Sequence, residues 1–404
     1  MGTLLKVIKN KLTLLLILLL NMLPVKKNKL FLYSYYGSQY GCNPKYITEY
    51  ILKHYPKDYF DLVWAFNDLE SKTNIKNIRK VKNMSFKYFY ELCTSKVVIT
   101  NYRTNEFFIK RKNQYYIQTW HSSLRLKQIE KDAEEHLPSQ YIQMAKKDSL
   151  KCDLLLAGCH DSTEILERSF WYNGEIFKKG IPRNDFLFHF DPKQRQGILT
   201  KLGIPEGTKV ILYAPTFRKG NSTEMYNLDY SSTLKTLKQK FSGNWVFLVR
   251  LHPHLLCDKN NLIKGEHVMD VTAYDDIQEL LSISDILISD YSSMIFDFSI
   301  TKRPCFLYVP DLLEYTNTDR KLYYEISDLP FISAINNTDL NNKILHFNAG
   351  IYQNDLSSFL ERIETYENGK ASESLLNHIE KICFNRPGGK IDEFIQNRVY
   401  NRSV

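Results

Sequence analysis

The chain has 404 residues, of which 43% are apolar and 25% are charged, a composition typical of a folded protein long enough for two domains. Its seven cysteines form no CxxC pair, which excludes a disulfide framework and indicates a reducing compartment. The formal net charge is +9, but six of these charges lie in residues 1–30, which hold no acidic residue. The rest of the chain is only weakly basic, which excludes a nucleic-acid-binding body and indicates attraction of the N-terminus to anionic lipid.

Residues 12–25 are nearly all apolar and centre on a run of leucines. As a helix they would span about 21 Å, which is short of the roughly 30 Å of a bilayer core. One alternative is a secretory signal peptide, although no small-residue cleavage site follows, and another is a buried core helix. Because lysines flank the run on both sides, we interpret residues 1–28 as a membrane-associating segment of a peripheral protein on the cytoplasmic face of the cell membrane.

From residue 29 to residue 188, short apolar runs alternate with amphipathic stretches. This alternation predicts a first domain with a parallel, doubly wound α/β sheet. The predicted strands cover residues 30–35, 62–66, 96–100, 115–120 and 153–157. The predicted helices cover residues 44–54, 85–94, 138–151 and 162–172.

After a break near residues 188–192 the alternation resumes, which predicts a second doubly wound domain over residues 189–375. Its predicted strands cover residues 209–214, 245–251, 267–271, 286–289 and 305–308. Its predicted helices cover residues 231–241, 275–283 and 292–301. The remaining residues, 376–404, are interpreted as a helical tail.

Ligands of open parallel sheets bind beyond the carboxyl ends of the strands, so the residues that follow each strand are the first candidates for chemistry. Four predicted strand ends carry imidazole, guanidinium, carboxyl or hydroxyl groups: His121, Thr216, Arg218, Arg250, His252, Asp290, Ser292 and Ser293. Ser292 and Ser293 also stand at a predicted helix start, where hydroxyls and free N–H groups bind phosphate. Each group alone could be a helix cap or a salt-bridge partner, but together they predict a site for a diphosphate.

Five short motifs occur in a characteristic order: QTWH at 118–121, GIPRND at 180–185, YAPTFR at 213–218, RLHP at 250–253 and SDYSS at 289–293. In these motifs the chain resembles the CDP-glycerol glycerophosphotransferase family, which comprises teichoic acid primases and polymerases with relatives in capsule synthesis. The chain departs from the family pattern after His121, where the family has Gly-Thr-Pro-Leu-Lys and this sequence has Ser-Ser-Leu-Arg-Leu-Lys. The departure concerns the acceptor side more than the donor side.

The resemblance implies two Rossmann-like domains that face a cleft, as in GT-B glycosyltransferases, with the acceptor at the first domain and the CDP-linked donor at the second. It also implies the transfer of a polyol phosphate to an acceptor hydroxyl with release of CMP. His121 is then the candidate base, since a neutral imidazole can take a proton near pH 7. His252 is assigned to the diphosphate or leaving group.

The other roles follow from the same resemblance. The donor diphosphate or nucleotide would be bound by Arg218, Arg250, Thr216, Ser292, Ser293 and Asp290. Asp297, together with Arg183, Asn184 and Asp185, would orient the histidines or bind the polyol. No cluster of residues has metal-ligand spacing, so no tightly bound metal is expected, and Mg²⁺ would come only with the donor diphosphate.

The expected partners are CDP-glycerol or CDP-ribitol as donor, a polyprenyl-linked saccharide as acceptor, and an anionic membrane surface; nucleic acid is not expected. Two other functions remain as alternatives. One is a GT-B glycosyltransferase that uses a nucleotide sugar in cell-surface polysaccharide synthesis. The other is a non-catalytic membrane scaffold for the same assembly.

Overall fold

The computed structural model describes residues 2–189, 191–218, 224–252 and 262–384. Its first sheet is entirely parallel, with the order β3-β2-β1-β4-β5-β6-β7. The strands are β1 (Lys26–Tyr33), β2 (Asp61–Phe66), β3 (Arg79–Lys82), β4 (Ser95–Thr100), β5 (Tyr115–Gln118), β6 (Leu154–Leu156) and β7 (Glu175–Phe177). The five strands predicted for this part are confirmed, and β3 and β7 are added at the two edges.

The second sheet is also parallel, with the order β10-β9-β8-β11-β12-β13. Its strands are β8 (Lys209–Tyr213), β9 (Trp245–Val249), β10 (Val268–Asp270), β11 (Ile286–Ser289), β12 (Cys305–Tyr308) and β13 (Ile332–Ala334). The prediction of two parallel α/β sheets is therefore confirmed, and β13 is again an additional edge strand.

Helices connect the strands and cover both sheets. They are α1 (Gly2–Leu20), α2 (Cys42–His54), α3 (Phe86–Thr94), α4 (Ser139–Ser149), α5 (His160–Ser169), α6 (Asp185–Phe188), α7 (Pro192–Lys201), α8 (Tyr230–Phe241), α9 (Ile277–Ile283), α10 (Met294–Ser299), α11 (Leu312–Thr318), α12 (Asn337–Leu345), α13 (Ala349–Arg362) and α14 (Ala371–Phe384). Most helices begin at a polar cap, as α3 does where the Ser85 hydroxyl accepts a hydrogen bond from the Tyr88 amide.

The helix α1 packs beside α3 and buries Ile17 and Leu20. Because these two side chains are buried, one side of the leucine run belongs to the core of the first sheet. None of the described helices combines the length with the apolar character that crossing a bilayer requires. The segment predicted to associate with the membrane ends inside β1, which begins at Lys26.

The final helix α14 returns to the first sheet instead of continuing the second. Leu375, Leu376 and Ile379 are fully buried in the same cluster as Leu30 of β1 and Ile99 of β4. The chain therefore crosses between the two units twice. The predicted boundary at residue 375 falls within α14, and residues 385–404 of the predicted tail lie outside the described residues.

Candidate active site

A cleft of about 650 Å³ lies where the carboxyl ends of the two sheets face each other. From the first sheet come residues that follow β1 and β4, and from the second come residues that follow β8, β9 and β11, in agreement with the rule for open parallel sheets. Its described lining is Tyr35, Tyr36, Ser38, Gln39, Tyr102, Lys127, Ala214, Pro215, Thr216, Phe217, Arg250, Leu251, His252, Thr272, Ser292, Met294, Tyr315, Asp319 and Arg320.

The His121 imidazole is partly exposed and lies against two of the rings that line this cleft. Its ring centroid is 5.0 Å from that of Tyr102 and 6.3 Å from that of Tyr35, and the Tyr35 ring is parallel to it. The Nδ1 atom is buried and has no hydrogen-bond partner among the described residues. Burial, together with the positive charges of Arg183 and Arg125, lowers the pKa of His121 to about 3, so the imidazole is neutral near pH 7.

The backbone that carries His121 is held by the amide of Asn43. This Nδ2 group lies 3.3 Å from the carbonyl oxygen of Trp120 and 3.2 Å from that of His121. Trp120 has a φ of 49°, and its own N–H donates to the Gln118 side chain at 3.0 Å. These hydrogen bonds hold the turn after β5 in a backbone conformation that costs energy. The fixed backbone in turn sets the direction of the imidazole.

Arg250 and His252 reach the cleft from the end of β9. Arg250 donates to the Tyr274 carbonyl oxygen at 3.2 Å, and none of the described carboxylates forms a salt bridge with it. Its pKa is lowered by burial. The His252 ring is exposed and lies 5.3 Å from the Phe217 ring. The structure therefore brings both predicted histidines to one cleft, His252 in its lining and His121 against the tyrosine rings of that lining.

Arg218 does not line the cleft. Its Nε donates to Asp311 at 2.9 Å, and its guanidinium also forms a salt bridge with Asp290. Two carboxylates thus compensate its charge inside the second unit. This geometry does not favour the predicted role of Arg218 in binding the diphosphate. A guanidinium that already pairs with two carboxylates has few N–H groups left for a further anion.

Asp290 orders the turn that carries Thr216. Both of its carboxylate oxygens accept hydrogen bonds from the Thr216 backbone N–H at 2.9 Å. The Thr216 Oγ1 is buried, lines the cleft and has no partner among the described residues. Asp290 is thus placed to position Thr216, whereas the Thr216 hydroxyl itself is available to a ligand.

The two predicted phosphate-binding serines have different surroundings. Ser292 lines the cleft. Ser293 instead accepts a hydrogen bond from the Leu126 backbone N–H at 3.2 Å, which ties the second unit to the loop after His121. The helix that follows them, α10, has only six residues.

Asp297, Arg183 and Asn184 lie beneath the cleft and do not line it. The fully buried Asp297 forms a salt bridge with Arg183 and accepts hydrogen bonds from Asn184 Nδ2 and the Ser123 N–H, both at 3.1 Å. Three predicted site residues therefore hold the His121 loop against the second unit. Asp185, the fourth, accepts hydrogen bonds from the first backbone N–H groups of α14 at 2.9 and 2.7 Å and so caps that helix.

Three tyrosines on the first-sheet side of the cleft were not predicted as site residues. Tyr35 and Tyr36 follow β1, and Tyr102 follows β4, so the rule applied to β5 and β8 would have found them. Both Tyr35 and Tyr36 have positive φ angles, 48° and 53°. Nothing in their residue types marks them as site residues, because tyrosine is abundant throughout this chain.

Two cations of the cleft lining, Lys127 and Arg320, were also not predicted, and they come from opposite units. The backbones of residues 126–128 and 321–323 pair as an antiparallel bridge, with the Tyr323 N–H donating to the Leu126 carbonyl oxygen at 2.8 Å. This bridge brings Lys127 of the first unit into the cleft lining, next to the second unit. None of the described carboxylates forms a salt bridge with either cation.

Within residues 2–189, 191–218, 224–252 and 262–384, no three His, Cys, Asp or Glu side chains are grouped so that they could hold a metal ion. One described carboxylate, Asp319, lines the cleft, and Asp290 and Asp311 behind the lining are both engaged with Arg218.

Comparison with known proteins gives a family match over most of the chain. The family model described as CDP-Glycerol:Poly(glycerophosphate) glycerophosphotransferase matches residues 15–381. A teichoic acid poly(glycerol phosphate) polymerase from Bacillus spizizenii is 31% identical over 375 residues, which cover 89% of this chain and 94% of that protein. A teichoic acid glycerol-phosphate transferase from Staphylococcus aureus is 32% identical over 377 residues, which cover 90% and 95%. Of two longer polymerases, from Bacillus subtilis and Staphylococcus epidermidis, the matched part covers 49% and 51%.

Solved structures agree with these matches. The wall teichoic acid polymerase TagF superposes with a TM-score of 0.79 at 29% identity, covering 94% of this chain and 96% of that one. A variant of TagF soaked with CDPG superposes with a TM-score of 0.76 at 31% identity, covering 89% and 90%. A UDP-N-acetylglucosamine 2-epimerase from Listeria monocytogenes has a TM-score of 0.54 at 12% identity, which shows a shared fold only.

Proposed function

The chain belongs to the CDP-glycerol glycerophosphotransferase family and is a glycerol-phosphate transferase, and we propose that its cleft binds the CDP-glycerol diphosphate and serves a lipid-linked teichoic acid precursor as acceptor. In this reaction an acceptor hydroxyl attacks the phosphorus that carries glycerol. A new O–P bond forms, the bond to the CMP phosphate oxygen breaks, and the hydroxyl proton leaves to a base.

The observation that carries this proposal is the charge of the cleft. Its described lining contains the cations Lys127, Arg250 and Arg320 but only one carboxylate, Asp319, so the lining carries a net charge of +2 with His252 neutral. The diphosphate of a CDP-alcohol carries two negative charges near neutral pH. An excess of cations in a partly buried site is costly unless an anion compensates it, and a diphosphate does so.

Positioning and charge neutralisation account for most of the catalysis of phosphoryl transfer. We assign the bond-breaking side to Arg250 and His252, which lie together at the end of β9 and would stabilise the charge that develops on CMP. Thr216 would donate its unpaired hydroxyl to the diphosphate. Any Mg²⁺ in the site would bind through the oxygens of the diphosphate.

His121 is our candidate for the base. Its imidazole is neutral, and a neutral imidazole has one ring nitrogen whose lone pair can take the acceptor proton. In the free protein its low pKa makes it a weak base. Donor binding would correct this, because the two negative charges of a diphosphate favour the imidazolium and oppose the effect of Arg183 and Arg125.

The donor is tested by incubating the purified protein with CDP-glycerol, CDP-ribitol or a UDP-sugar, together with a lipid-linked disaccharide acceptor. We expect acceptor-dependent CMP release from CDP-glycerol at a rate at least tenfold above that from CDP-ribitol, and no UDP release. Faster turnover of CDP-ribitol would show that ribitol is the transferred polyol. Release of UDP would contradict phosphate transfer and indicate glycosyl transfer instead.

We propose that α1 attaches the protein to the anionic membrane surface on the cytoplasmic side. Leu12, Leu15 and Leu19 are each more than half exposed, although they are apolar side chains on a leucine-rich helix. Lys9 and Lys11 lie on the same helix and would contact lipid headgroups. A surface-bound enzyme could then reach an acceptor whose lipid end stays in the bilayer.

The Leu12→Ser/Leu15→Ser/Leu19→Ser variant is expected to lower binding to phosphatidylglycerol vesicles at least tenfold, since burial of one leucine contributes roughly 1.5–3 kcal/mol. Vesicle co-sedimentation measures this, and CMP release with a short-chain soluble acceptor should not change. The matched control is Leu313→Ser, because Leu313 is 79% exposed on the second unit. Equal vesicle binding by the triple variant and wild type would contradict the attachment.

A further inference from the structure

The first-sheet side of the cleft differs in chemistry from the second-sheet side. Its lining residues after β1 and β4 are three tyrosines and two other polar residues, namely Tyr35, Tyr36, Tyr102, Ser38 and Gln39, and none of them is charged. The cations on the donor side thus face an aromatic wall. A phosphate would gain little from this wall, whereas a polyol or sugar has C–H faces and hydroxyl groups that suit it.

The three rings of this wall pack on one another and on the candidate base. The Tyr36 and Tyr102 centroids are 4.5 Å apart, and those of Tyr35 and Tyr102 are 5.5 Å apart. His121 contacts two of these rings, as described above. A group that rests on the wall therefore lies next to the imidazole, which is where the attacking hydroxyl must be.

The wall is held in place by hydrogen bonds of its own backbone. The Tyr35 N–H donates to the Asn101 side chain at 3.0 Å, and Asn83 Nδ2 donates to the Tyr36 carbonyl oxygen at 3.1 Å. Gly37 follows with a φ of 87°, a conformation that favours glycine. Two consecutive tyrosines with positive φ are a costly arrangement, and such strain persists where the surrounding structure enforces it, frequently at functional sites.

The wall also offers neutral hydrogen-bonding groups. The Gln39 side chain lines the cleft and has no hydrogen-bond partner among the described residues. Burial raises the pKa of Tyr36 to about 12 and also raises that of Tyr102, so both phenols stay protonated and uncharged at neutral pH. An amide and phenol hydroxyls beside aromatic rings can bind several hydroxyls of one uncharged ligand.

We propose that Tyr36, Tyr102 and Gln39 form the acceptor subsite, which binds the uncharged terminal polyol or sugar of the acceptor and directs its hydroxyl to His121. The ligand's C–H face rests on the Tyr36 and Tyr102 rings, and its hydroxyls bond to Gln39. The subsite rests on the proposed function, because it takes the acceptor of that same reaction. Tyr36 and Tyr102 are binding residues here, and neither takes the proton.

The test compares Tyr36→Ala, Tyr36→Phe and wild type, with a short-chain lipid-linked disaccharide as the acceptor probe. We expect Tyr36→Ala to raise the acceptor KM five- to tenfold while the CDP-glycerol KM stays within twofold. Tyr36→Phe keeps the ring and should stay within about threefold of wild type for both substrates. Phe188→Ala is the matched control, because Phe188 is 41% exposed, close to the 46% of Tyr36, and does not line the cleft.

A second measurement separates this proposal from the proposed function. The Kd of the same disaccharide probe, measured by calorimetry without donor, should rise five- to tenfold in Tyr36→Ala even if the wild-type protein released no CMP from CDP-glycerol. An unchanged acceptor Kd in both Tyr36→Ala and Tyr102→Ala would overturn the acceptor subsite. A parallel rise of the donor KM would also overturn it, because the wall would then belong to the donor.

Discussion

Replacement of His121 by glutamine is expected to lower kcat for CMP release by about 10³-fold, since general base catalysis contributes typically 10²–10⁴-fold. Glutamine fills most of the imidazole volume, and the Nδ1 of His121 has no hydrogen bond to lose among the described residues, so the turn after β5 should keep its structure. The Kd of CDP-glycerol should stay within about threefold of wild type. Steady-state kinetics and donor calorimetry measure the two quantities.

The matched control for this variant is His136→Gln, because His136 lies on the first unit away from the cleft lining. It should keep wild-type kcat. If His121→Gln also kept near-normal kcat, His121 could not be the base. If donor affinity fell in proportion to kcat, its role would be in binding the donor.

The pH dependence of the wild-type rate tests the role of His121 independently of any substitution. A base is active when deprotonated, and burial with two nearby guanidinium groups places the pKa of His121 at about 3 in the free protein. Protonation of His121 should therefore not lower kcat/KM above about pH 5. In the donor complex the diphosphate raises this pKa, so kcat should begin to fall at a higher pH than kcat/KM does as the solution is acidified.

The variant Lys127→Gln is expected to lower kcat/KM for CDP-glycerol by roughly tenfold to a hundredfold, the value of one hydrogen bond to a charged group. Lys127 lines the donor side of the cleft, and in the described chain no carboxylate forms a salt bridge with it, so its charge is available to the diphosphate. Lys146→Gln is the matched control, because Lys146 is half exposed and pairs with Glu134 outside the cleft. A wild-type kcat/KM in Lys127→Gln would exclude Lys127 from donor binding.

Donor affinity should also fall as pH rises, because burial lowers the pKa of Lys127 to about 8. The carboxylates of Asp290 and Asp319 favour its charged form, whereas Arg320 and Arg218 disfavour it. Above pH 8 the free protein therefore loses this positive charge. Lys127→Arg should keep most of the affinity and remove that decrease, since arginine stays charged. If donor affinity fell equally above pH 8 in Lys127→Arg and in wild type, the fall would come from the titration of another group.

The sequence by itself determined the α/β class, the positions of ten strands, nine of which are central, and, through the rule for parallel sheets, the carboxyl ends as the place of the cleft. These strands are apolar because both faces of a parallel sheet are covered, so a strand such as Ile286–Ser289 is recognisable from its own residues. Three of the four edge strands, β3, β7 and β13, escaped prediction because they are short and less apolar, as in Arg79–Lys82 with its sequence RKVK. The same pattern identified the residues that follow these strands at the cleft, because the end of a recognisable strand marks the position of the next residues. These residues are His121, Thr216, Arg250, His252 and Ser292.

Only the tertiary structure decided which charged residues are free to meet a ligand. Arg218, Asp290, Arg183 and Asp297 have the residue types of a phosphate or polyol site, yet the fold pairs them with one another or with further carboxylates. Lys127 has no distinguishing sequence pattern, and a bridge to Leu322, almost two hundred residues away in the chain, brings it to the cleft. A charge is satisfied or available according to its neighbours in space, and these neighbours come from both units.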